Sequence, residues 1–75
     1  MTEKKIKITT IDDVKRFVST VMSYEYDADV VSGRYAVDAK SIMGLFSLDL
    51  SGELTLKIHS SDCGDILADL EKFIV

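Results

Sequence analysis

A chain of 75 residues, 47% apolar and 29% charged, has room for one small domain spanning residues 1–75 with the composition of a soluble globular protein. Nine basic against thirteen acidic residues leave a formal charge of −4. That balance excludes the lysine and arginine surplus with which nucleic-acid binders displace counterions, and it disfavours docking on anionic lipid. A single cysteine, Cys63, excludes an internal disulfide and a Cys-rich zinc site, and a single histidine, His59, excludes any site built on two imidazoles. No apolar run approaches the ~18 residues of a membrane span. Met1 to Lys7 is charged with no apolar core behind it, unlike a secretory leader. A cytoplasmic protein is expected. A domain of this size buries only about 60% of its unfolded surface, which leaves little interior for an enclosed substrate pocket and speaks against an enzyme.

Lys4 to Thr9 alternates, with Ile6 and Ile8 on one face and Lys5, Lys7 and Thr9 on the other, the pattern of a half-buried strand. The period then changes. Ile11, Val14, Phe17, Val18, Val21 and Met22 form the stripe of an amphipathic helix over roughly residues 11–23. Thr10 is its expected N-cap, and Asp12 and Asp13 lie in the first turn, where the helix dipole favours negative charge. Asp29 to Ser32 and Arg34 to Ala39 read as two strands around a Ser32-Gly33 turn. Ser41 to Leu48 is a short apolar run interrupted by Gly44. Glu53 to His59 alternates again, with Leu54, Leu56 and Ile58 on one side. Ile66, Leu67, Leu70, Phe73 and Ile74 form a second helical stripe, expected to start at a cap on Ser61 or Asp62.

The order is β-α-β-β-(short α)-β-α. Strands with one apolar face and helices with one apolar stripe bury both in two layers, so an α+β open-faced sandwich is expected: a four-stranded antiparallel sheet with helices on one face.

The segment Val37-Asp38-Ala39-Lys40-Ser41-Ile42-Met43-Gly44-Leu45-Phe46-Ser47-Leu48 resembles the central segment of HPr, the histidine-containing phosphocarrier family of the bacterial phosphoenolpyruvate-dependent sugar phosphotransferase system. In that family a strand runs into Lys-Ser-Ile-Met-Gly and a short helix, and the element order above is also that of the HPr fold. The resemblance implies a phosphoacceptor histidine just before the first long helix, within Gly-Ile-His-Ala-Arg-Pro-Ala. Carried back from Ser41 without a gap, the histidine falls at Thr10, the arginine at Asp12 and the proline at Asp13. Thr9 to Asp13 holds neither histidine nor arginine. Two carboxylates stand where a phosphoryl dianion would sit, and like charges at that range repel. His59 is expected at the far end of the sheet, as a solvated residue rather than a replacement acceptor.

Ser41 is the second position the resemblance marks. In HPr of Gram-positive type the matching serine is phosphorylated by HPr kinase/phosphorylase, and the product binds a catabolite repressor. A serine between a strand and a short helix is also an N-cap, and both readings stand at this point. Thirdly, the residues matching Ile42, Met43 and Phe46 contribute to the partner-docking surface of HPr. On so short a helix Ile42, Leu45 and Phe46 cannot all face inward, so an exposed apolar cluster is expected; Leu45 and Phe46 can alternatively complete the core. No cofactor is implied. Glu25, Asp27 and Asp29 lack the glycine and glutamate spacing of a calcium loop, and no metal site is expected.

The expected function is that of an HPr-family protein unable to relay phosphate through histidine and acting as a regulatory or protein-interaction module. Its partners would be phosphotransferase components, the kinase or the catabolite-control proteins. The alternative is a small scaffold with an HPr fold that binds an unrelated protein.

Overall fold

The structure is a computed structural model and describes residues 1–75. Its strands are β1 (Thr2–Ile6), β2 (Ala28–Ser32), β3 (Tyr35–Asp38) and β4 (Leu54–Ile58); its helices are α1 (Ile11–Met22), α2 (Ile42–Phe46) and α3 (Gly64–Asp69), followed by a 3-10 turn over Glu71–Phe73. All neighbouring strands are antiparallel, in the order β1-β4-β2-β3.

The registers explain why only one face is dry. Ile6 pairs with Leu54, Val30 with Leu56 and Ala28 with Ile58, and all six are buried. The intervening pairs, Lys5 with Thr55 and Asp29 with Lys57, lie on the other face and retain contact with water. Period-two alternation therefore aims one row of apolar side chains at the helices. Val14, Phe17, Val18 and Val21 of α1 and Ile66 of α3 meet that row, with Leu45 of α2. Phe17 and Phe73 close the core edge to face, with ring centroids 5.5 Å apart. The expected open-faced sandwich is thus the observed fold.

Several boundaries differ from the expectation. The first strand lies earlier, and Ile8 is buried beyond its end. There the Lys7 amide donates to the Phe73 carbonyl, and the Val75 amide to the Lys5 carbonyl. The last residues therefore line the outer edge of β1, with Ile6 bridging Ile74. Ile11 and Met22 belong to the apolar stripe by spacing yet are 63% and 62% exposed, because they sit at the two ends of α1. The hairpin turn is Gly33-Arg34, one residue later than expected, with Gly33 at φ 61°; that left-handed conformation is open to glycine without steric cost. The C-terminal stripe is not one helix: α3 ends at Asp69, and the chain tightens into the 3-10 turn. Its cap is neither Ser61 nor Asp62 but Cys63, which gives α3 no side-chain cap bond. The buried thiol instead lies 3.7 Å from the Ser60 carbonyl.

Candidate functional site

Two helix N-termini carry the residues singled out from the sequence. At the first, Thr10 has extended backbone angles (φ −127°, ψ 163°), and its hydroxyl accepts from the Asp13 amide at 3.1 Å. Its carbonyl begins the helix by accepting from the Val14 amide at 3.1 Å. The Thr9 hydroxyl donates to the Asp13 carboxylate at 3.2 Å. The other Asp13 oxygen is 3.9 Å from Lys72 Nζ. This end is therefore closed on itself: a free helix amide that would serve an anion serves Thr10, and acidic groups occupy the first turn.

At the second, Ser41 is likewise extended (φ −101°, ψ 104°), and its Oγ accepts from the Gly44 amide at 3.1 Å. The Asp38 carbonyl takes the Ser41 amide at 2.9 Å, while Asp38 Oδ1 takes the Lys40 amide at 2.9 Å. Asp38 thus locks the strand-to-helix corner that presents Ser41, whose side chain is only half-buried. Gly44 has a packing role: a Cβ there would sit 3.1 Å from both Ser41 Oγ and Val37 Cβ. The missing side chain is what lets α2 approach β3.

The apolar residues of α2 divide. Leu45 is fully buried and Ile42 half-buried, whereas Met43 and Phe46 are 76% and 42% exposed. Leu45 thus completes the core, and Phe46 does not. The helix leaves Met43 and Phe46, with part of Ile42, as an apolar patch next to Ser41. α2 in turn packs against α1 and β3, so both helix starts belong to the same helical layer.

His59 lies at the far end of the sheet with its side chain 41% exposed, as expected, but its Nε2 is 2.9 Å from Asp29 Oδ2 of the neighbouring β2, because β4 is an interior strand. Thr2 pairs with Ile58, so His59 lies by the start of β1, at the opposite end of that strand from Thr10.

Nothing local in the chain marks the tyrosine pair that lies beyond the end of α1. Tyr24 and Tyr26 stack at 6.0 Å. Tyr26 donates to Asp65 Oδ1 at 2.8 Å, and Tyr24 donates to Asp69. Both phenols are raised to about 12, first by these hydrogen bonds to carboxylates. The Tyr26 bond in turn holds the Asp65 carboxyl below its usual value. Asp65 and Asp69 are one helical turn apart on α3, but nothing local in the sequence says that α3 faces the residues after α1.

The family model described as the PTS HPr component phosphorylation site matches residues 13–75. No curated protein matches significantly. Among solved structures, the chain is similar to HPr-C-His from Thermoanaerobacter tengcongensis, with a TM-score of 0.82 and 26% identity over 96% of this chain and 89% of that one. It is also similar in fold to the phosphocarrier protein HPr from Bacillus anthracis str. Ames, with a TM-score of 0.78 and 22% identity over 99% and 96% of the two chains. With most of its length matched by the family model and its sheet and helices laid out as in those structures, the chain belongs to the HPr phosphocarrier family of the phosphotransferase system.

Proposed function

We propose that this HPr-family protein does not carry phosphate on a histidine and acts as a regulatory or protein-interaction module. The observation that supports this reading is the start of α1. Carried back from Ser41 without a gap, the family's phosphoacceptor position falls at Thr10, whose hydroxyl is engaged as the helix cap. On the same alignment the arginine and proline positions fall at Asp12 and Asp13. A threonine hydroxyl lacks the nucleophilic nitrogen of imidazole, and no basic residue activates it. The adjacent carboxylates oppose an incoming phosphoryl group. His59 is at the other end of β1 and bonded to Asp29. Incubating the protein with phosphoenolpyruvate and enzyme I tests this: the expected result is no acid-labile phosphate, and an acid-labile phosphohistidine overturns it.

Ser41 is the proposed point of regulation, and Ile42, Met43 and Phe46 the proposed partner contact. The half-buried cap hydroxyl is reachable, and a phosphate at that position would meet the amides of the α2 start. Met43 and Phe46 are exposed beside it, and flexible methionine adapts to varied partners. Incubation with HPr kinase and ATP should add one phosphate by intact mass; an unchanged mass removes Ser41 from the reading. Titration against enzyme I, the kinase and the catabolite repressor separates a phosphotransferase partner from the alternative, an HPr-fold scaffold for an unrelated protein.

A further inference from the structure

We draw no further inference here: the strongest candidate, the pocket beyond the end of α1 lined by Tyr24, Tyr26 and Asp65, is an acidic cluster whose carboxylates the two phenols already occupy, and no unpartnered buried polar group there points to a ligand.

Discussion

Lys72 Nζ lies 3.9 Å from the Asp13 carboxylate, which ties the C-terminal 3-10 turn to the first turn of α1. The same lysine stands 5.0 Å from the centre of the Phe73 ring, and Phe73 packs on Phe17 of α1. The start of α1 is therefore braced by residues some sixty positions away, with a cation already facing Asp13. Half-exposed pairs of this kind contribute at most about 1 kcal/mol. The contact's importance is that it occupies the Asp13 side of the site.

Restoring histidine alone should not restore phosphoryl transfer. Thr10→His leaves Asp12 and Asp13 in the anion's place, whereas Thr10→His with Asp12→Arg and Asp13→Pro removes both carboxylates and supplies a phosphate-binding guanidinium. With enzyme I and phosphoenolpyruvate, acid-labile phosphate is expected on the triple variant and little or none on the single one. Equal labelling of the two would show that the carboxylates are not the obstacle.

Thr10→Ala removes the acceptor for the Asp13 amide and should cost about 1 kcal/mol. Ser41→Ala should cost a similar ~1 kcal/mol through the Gly44 amide. Urea denaturation measures both.

Gly44→Ala should destabilise the protein although alanine is the better helix former by about 1 kcal/mol. Its methyl would meet Val37 Cβ at 3.1 Å, and that atom is fixed to the β3 backbone. A net loss of about 1 kcal/mol is expected, from overpacking. A stabilised variant would mean that α2 can shift away from β3.

Phe17→Ala should be the most damaging of these changes, at about 3–5 kcal/mol. Phe17 is fully buried and holds Phe73. Against a total stability of roughly 5–15 kcal/mol, loss of the cooperative thermal transition is the outcome to look for. By contrast, Met43→Ser, at an exposed position, should leave the transition in place.

Alkaline titration should find Tyr24 and Tyr26 ionising near 12 by ultraviolet absorbance, and Asp69→Asn should bring Tyr24 down towards 10.0, its ordinary value. Their pKa values are higher folded than unfolded, so the stabilisation from these phenols is complete below 10 and is lost as pH rises from there through 12. Asp65 shifts the other way: its contribution is present above its ordinary value and fades as pH falls through its lowered folded pKa. A Tyr24 pKa unmoved by Asp69→Asn would deny that the carboxylate causes the shift.

What could be read along the chain was what neighbouring residues decide. Thr10 and Ser41 cap their helices because a hydroxyl reaches an amide three residues on, a distance set by helix geometry alone. The buried row Leu54, Leu56 and Ile58 follows from a period of two. Lys40-Ser41-Ile42-Met43-Gly44 carries the family, and with it the fold, because that corner needs a cap, a buried contact and a glycine at fixed spacing. The tertiary structure decided everything that depends on which elements meet. It made β4 an interior strand and so gave His59 its Asp29 partner. It left Ile11 and Met22 in solvent at the ends of a helix whose middle alone covers the sheet. It brought Lys72 to Asp13 and the tyrosines to Asp65 and Asp69. These contacts join residues about thirty to sixty positions apart, and no local period or propensity encodes a meeting that the packing of the whole chain creates.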